Sequence, residues 1–151
     1  MATVSFDHHL PCRLSADALH ERLVAALVDT DEAPFWPHRL NRVRIAELQL
    51  DAPIAATYRA PGWPDTQRAY RVSEVRSGSG FSYAPSEGHP FGGEVHVDCV
   101  PAPDGSSTLH WRGTYHMGAW RPERLFFKAY FEPRFFAGLA DGLRHIGAPT
   151  P

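Results

Sequence analysis

The feature that most constrains this chain is a long, aromatic-faced helix predicted over residues 120–146. Arg121-Pro122-Glu123 opens it: proline at the first helical position gives up an N–H that has no partner there, and Glu123 suits the positive end of the helix dipole. Gly147 ends the segment and Pro149 follows as a stop. Roughly 24 residues at about 1.5 Å each span about 36 Å, enough to cross a small domain. At about 100° per residue, Phe127, Phe131, Phe135, Leu139, Leu143 and Ile146 fall on one broad side. Gly138 and Gly142, near its middle, imply close approach to another surface. Pro133 lies inside the segment and predicts a bend. Phe126 and Phe136 fall opposite the stripe, so either the bend re-aims them or they form a second surface such as a dimer contact. A helix of this kind needs a large apolar partner, and the rest of the chain has the pattern of a curved sheet.

At 151 residues the chain reads as a single domain, 1–151, and its 43% apolar content supports a sizeable core. A net charge of −2 gives no reason to expect nucleic acid or a charged membrane surface as partner. Cys12 and Cys99 have no metal-ligand spacing and favour a reducing compartment over a disulfide scaffold. Residues 1–7 lack the basic and apolar regions of a signal peptide, and no apolar run approaches the roughly 18 residues of a membrane span. The expectation is a cytoplasmic protein without cofactor.

Val4, Phe6 and His8 alternate with Ser5, Asp7 and His9 in a first strand over 4–10, closed by Pro11. Ser15 caps a helix from Ala16 to Val28 whose stripe is Leu19, Leu23, Ala26 and Leu27. Asp29-Thr30-Asp31 starts a second, shorter helix holding Phe35 and Trp36 and closed by Pro37. Its acidic start lacks the oxygen ligands and glycine spacing of a calcium loop. From residue 41 the period changes to two, giving six antiparallel strands at 42–50, 53–59, 67–76, 80–85, 93–100 and 107–117. Turns at Asp51-Ala52, Gly78-Ser79 and Pro103-Asp104-Gly105 suit hairpins. The loops around Trp63 and at residues 86–93 are longer.

Following the side chains through these hairpins gives a covered face of Val43, Ile45, Tyr58, Tyr70, Val72, Tyr83, Val95, Val97, Trp111 and Tyr115, together with Glu47, Gln49 and Glu74. That register sets Ile45 opposite Tyr58, Glu74 opposite Tyr83, Arg76 opposite Phe81, Asp98 opposite His110 and His96 opposite Arg112.

The order strand, two helices, six strands, long C-terminal helix resembles the helix-grip fold of the START-related and birch-pollen-allergen-like superfamily, which includes polyketide cyclases and dehydratases. The pieces that carry the resemblance are the helical step at 14–38, the hairpin at 94–118 and the tail at 120–146. It implies an α+β domain in which a seven-stranded curved antiparallel sheet wraps around the last helix and leaves a cavity. It also implies a hydrophobic small-molecule partner that is bound or carried, as in lipid transport, or cyclised or dehydrated. No catalytic motif of that superfamily aligns onto these residues.

The cavity-facing set defines the candidate site. Tyr58, Tyr70, Tyr83 and Tyr115, with Trp111, Phe127, Phe131 and Phe135, suit an aromatic or polycyclic ligand, because a buried phenol needs a partner for its O–H; the plainer reading is core packing. Glu47 and Glu74, facing an apolar cavity roughly 11–12 Å apart along the backbone, are candidate general acid and base, with Arg76 orienting Glu74. The plainer reading sends both to water. His96, Asp98, His110 and His116 form a solvated cross-strand network, not a metal site, and His8 and His9 point to opposite faces. Cys99 packs as a small hydrophobe. The 86–93 loop, Trp63 and Phe35-Trp36 are candidate entrance elements. Three functions follow: a binder of a hydrophobic small molecule, a cyclase or dehydratase using Glu47 or Glu74, and an interaction module using the outer helix face.

Overall fold

The computed structural model describes residues 2–28, 41–59, 62, 64–89, 91–117 and 122–146; the side chains of residues 2, 41–43 and 123 lie outside that description. Seven strands form one antiparallel sheet: β1 (Ala2–Cys12), β2 (Asn41–Ile45), β3 (Pro53–Tyr58), β4 (Thr66–Arg76), β5 (Gly80–Pro85), β6 (Gly92–Pro101) and β7 (Ser107–Met117). Their spatial order is β1-β7-β6-β5-β4-β3-β2, so the first strand closes against the last. The sheet curves around the C-terminal helix. The expected second helix, with Phe35 and Trp36, lies outside the described residues, as do Trp63, Arg121, Gly147 and the side chain of Val43.

Helix α1 spans Ala16–Val28 and buries Leu19, Leu23, Ala26 and Leu27. Ser15 caps it as expected: its Oγ accepts from Ala18 N–H at 3.2 Å, and its carbonyl accepts the first helical bond from Leu19 N–H at 2.8 Å.

The hairpin of β6 and β7 has the expected register, with Val97 opposite Trp111, Asp98 opposite His110 and His96 opposite Arg112. Strict alternation turns Val95, Val97, Cys99, Leu109, Trp111, Tyr115 and Met117 inward, all buried. Gly113 shares this inward face for want of space. A Cβ there would sit 2.7 Å from the Phe6 ring and 2.9 Å from Val95 Cγ2.

Two other hairpins differ from expectation. The β2 strand ends at Ile45, and residues 46–52 form a wide loop in place of a two-residue turn. Ile45 therefore pairs with Ile54, not Tyr58. The loop is pinned by its own backbone: Asp51 N–H donates to Val72 O at 2.9 Å and Ala52 N–H to Gln49 O at 3.1 Å. Asp51 takes a left-handed φ of 65° to make the corner, a conformation its short polar side chain tolerates. The β4–β5 turn uses three residues, 77–79, with Gly78 at φ 74°. The register slips by one at Arg76, opposite Gly80, and a bulge between Val72 and Glu74 adds a second residue to the offset, so that Val72 faces Tyr83.

The C-terminal helix has three parts: α2 (Pro122–Phe126), a π-helical turn (Phe127–Phe131) and α3 (Glu132–Ile146). Glu132 N–H bonds to Phe127 O, one residue further back than in an α-helix. The wide turn stops two residues before Pro133, whose ring and missing N–H disfavour a regular ladder there. The extra residue also resets the phase of the helix. The buried stripe of α3 is Glu132, Phe135, Phe136, Leu139, Gly142 and Leu143. Of the two alternatives for Phe136, the re-aiming by the bend is the one found: it is on the inner face and only 5% exposed. Gly142 is on the packed side as expected.

Candidate functional site

Between sheet and helix lies a cavity of about 170 Å³. Tyr58, Tyr70, Tyr83, Trp111 and Tyr115 line it from β3, β4, β5 and β7, and Phe127, Phe131 and Phe135 from the helix, all in the expected set. Phe6, Phe81, Phe91 and Phe136 add further rings that sequence reasoning did not place there. For Phe6 a signal existed, since alternation along β1 turns it inward with Val4 and His8. The rings meet largely edge to face: Tyr58 with Phe131 at 5.1 Å, Tyr70 with Tyr83 at 5.4 Å, Tyr115 with Phe127 at 5.8 Å and Trp111 with Phe135 at 5.5 Å. That geometry places the positive ring edge on the negative ring face.

The phenols form a connected polar thread through this apolar wall. Tyr58 and Tyr70 hydroxyls are 2.7 Å apart. Tyr115, Tyr83 and the Trp111 indole continue this line along the wall as polar neighbours. The Tyr58–Tyr70 contact uses one of the two phenol hydrogens, so the other O–H has no acceptor within the pair. Burial of the oxygens keeps these phenols protonated: it pushes Tyr58 up to about 12 and holds Tyr70, Tyr83 and Tyr115 well above the usual phenol range. The thread therefore offers neutral hydrogen-bond donors.

Arg68 and Thr66 are the remaining polar side chains on the wall, and no carboxylate lines it among the described residues. The Arg68 guanidinium lies 6.0 Å from the centre of the Phe91 ring. His89 packs between Tyr70 and Phe91, with ring centroids 4.9 and 5.3 Å away. Its Nδ1 accepts from Phe91 N–H at 3.0 Å, and its buried Nε2 has no partner among the described residues. Burial, then the Arg68 charge, pulls its pKa down to about 4, so the ring is neutral.

The residues expected to act as acid and base are not in this site. Glu47 is exposed in the 46–52 loop because β2 ends before it. Glu74 lies beyond the β4 bulge, which turns it to the convex face with its side chain 56% exposed. Arg76 follows it outward. It donates to Asp98 Oδ1 at 2.7 Å, Ser82 Oγ at 2.9 Å and Phe81 O at 2.8 Å, and pairs with Glu74 at 2.9 Å. A one-residue turn slip and a bulge are invisible to pattern counting; together they removed Glu74 and Arg76 from the cavity, while the early end of β2 removed Glu47.

Two further clusters were not foreseen. On the convex face Ser82 Oγ is 2.6 Å from His96 Nδ1, and His96 Nε2 is 3.1 Å from Glu94. This has the connectivity of a nucleophile triad, but Ser82 is fully buried and already accepts from Arg76, so it is a structural joint. At the helix, buried Glu132 binds His8 Nε2 at 2.9 Å and Lys128 Nζ at 2.6 Å, and the His8 ring stacks on Phe136 at 3.7 Å. The spacing of Lys128 and Glu132 was legible; His8, on the inward set of β1, completes the clamp. Cys99 is buried and its thiol pushed up to about 12 by burial, as fits a small hydrophobe. Of the hairpin histidines, His110 alone joins a set that converges, with Asp7 and His9.

A sheet curved around a kinked C-terminal helix, with an aromatic cavity between them, decides the architecture. This is the helix-grip fold. The helix-grip chain matches solved structures across nearly its whole length. Ara h 8.0201 superimposes with a TM-score of 0.63 at 14% identity, covering 95% of this chain and 99% of that one. Norcoclaurine synthase from Thalictrum flavum, in complex with dopamine and hydroxybenzaldehyde, gives 0.64 at 18% identity, covering 96% and 86%. The di-domain ARO/CYC StfQ from the steffimycin biosynthetic pathway gives 0.64 at 15% identity, covering 93% of this chain and 49% of that one. No protein-family model and no curated protein sequence matches this helix-grip chain. Among the described residues no helix is long and apolar enough to cross a membrane.

Proposed function

We propose that this protein binds a small aromatic molecule carrying an acceptor oxygen, held in the cavity between sheet and helix. The observation that carries this reading is the buried Tyr58–Tyr70 hydroxyl pair, which uses one of its two hydrogens internally, set in a wall of aromatic rings. A buried donor left unpaired costs about 1–3 kcal/mol, which a ligand carbonyl or hydroxyl would recover. The volume favours the small end of the aromatic range. At about 170 Å³ the space is close to the engineered cavity of about 150 Å³ that admits benzene, so one substituted ring fits better than a polycycle. The Thalictrum flavum synthase, which shares the fold, is known in complex with dopamine and hydroxybenzaldehyde, each a single ring with oxygen substituents. Binding is favoured over acid–base turnover because no carboxylate lines the described wall. The interaction-module reading loses its basis, since Phe136 is buried beside the cavity.

The test is titration of the purified protein with hydroxybenzaldehyde, and with toluene as the counterpart without oxygen, followed by calorimetry and by native mass spectrometry of untreated protein. Hydroxybenzaldehyde should bind more tightly, and Phe131→Trp, which fills the cavity, should abolish binding. Absence of binding by both compounds, with no co-purified small molecule, would overturn the reading.

A further inference from the structure

We propose a second site on the opposite, convex face of the sheet: Asp7, His9 and His110 form a binding site for a divalent transition-metal ion, zinc or its borderline neighbours. Strand pairing creates it. The antiparallel register of β1 and β7 sets His9 directly opposite His110, and the two-residue period of β1 puts Asp7 on the same outward face as His9. The two imidazoles stack with centroids 4.1 Å apart and planes 16° from parallel. Both turn Nε2 onto one carboxylate oxygen: His110 Nε2 is 2.8 Å and His9 Nε2 3.1 Å from Asp7 Oδ1. One ligand atom from each residue lies within 4.8 Å of the others.

A tetrahedral ion with bonds of about 2.0–2.1 Å keeps its ligand atoms roughly 3.4 Å apart. The two oxygen–nitrogen distances, 2.8 and 3.1 Å, fall short of that spacing by about 0.6 and 0.3 Å, a gap that side-chain rotation closes while the paired backbone stays in place. Two imidazoles with one carboxylate select borderline metals such as zinc over calcium or magnesium, which take oxygen ligands. His110 is the anchored ligand, its side chain 20% exposed, whereas Asp7 and His9 are 60% and 63% exposed. Water thus reaches the remaining coordination positions. Arg112, paired across from Asp7, is the one unfavourable neighbour, because its positive charge opposes a cation.

The test uses tag-free, chelator-treated full-length protein titrated with zinc chloride against a chromophoric chelator, with magnesium chloride as control. One zinc should bind per chain and raise Tm, with magnesium inert. His9→Gln and His110→Gln should each weaken binding by at least about ten-fold, as loss of one of three ligands does. His96→Gln and His116→Gln, on the same face but outside the set, should leave it unchanged, and Arg112→Gln should tighten it. Circular dichroism of each variant separates lost binding from lost folding. Zinc binding that survives both His9→Gln and His110→Gln, or no zinc binding at all, overturns the proposal and leaves the cluster as a cross-strand hydrogen-bond network.

Discussion

Buried phenols behave as acids that cannot release their protons, and this gives the cavity wall a pH signature. The folded-state pKa of Tyr58 is about 12 against 10 in an unfolded chain. The unfolded state therefore loses its proton first, and stability falls as pH rises from about 10 toward 12. Spectrophotometric titration of tyrosinate should show late ionisation of Tyr58, Tyr70, Tyr83 and Tyr115, coincident with unfolding. Tyr70→Phe breaks the 2.7 Å contact with Tyr58 and should cost about 1 kcal/mol, or roughly 2–4 °C in Tm for a domain of this size. His89 works in the other direction. Its pKa of about 4 against 6.5 means that the unfolded chain takes up a proton first as pH drops. Its contribution is present above about 6.5 and is lost toward 4. His89→Gln should flatten that limb of a Tm-against-pH curve relative to wild type. The tyrosines were legible because each sits on the apolar phase of its own strand. Nothing local to the 86–93 loop marks His89 as neutral, since its environment comes from Tyr70 and Arg68 on a different strand.

At the level of elements, the sheet depends on places where one residue makes room for another. Gly113 is the clearest. Gly113→Ala drives a methyl to within 2.7 Å of the Phe6 ring and should destabilise by about 1–3 kcal/mol, as overpacking does; thermal melts should show part of that loss recovered by adding Phe6→Leu. The Glu132 clamp is a second case. It ties α3 to β1 through His8, its side chain only 11% exposed. Glu132→Gln leaves Lys128 and His8 without their shared carboxylate and should lower Tm by several degrees, with a smaller effect for exposed Lys128→Gln. The number and order of strands, the α1 stripe, the β6–β7 register and the helix end at Ile146 could be read from periodicity, because each is a local phase relation. The β4 bulge and the π-turn could not. Each inserts one residue into an otherwise regular period, and a pattern that restarts cleanly after an insertion leaves no mark on hydrophobic counting. Glu74 and Phe136 sit just past those insertions; Glu74 was placed on the wrong face, and periodicity alone left the face of Phe136 open.

For the whole molecule, the two candidate sites occupy opposite faces of one sheet, so a cavity-filling substitution and a histidine substitution on the convex face should act additively on stability. The double variant Phe131→Trp with His110→Gln checks this in chemical denaturation. The sheet order also governs how the chain reaches its folded state. Because β7 is the neighbour of β1 in the sheet, β1 waits for its partner strand until about a hundred further residues have been made. A fragment that stops before β7 therefore lacks the β1–β7 pairing, and such long-range pairing is a slow step in folding.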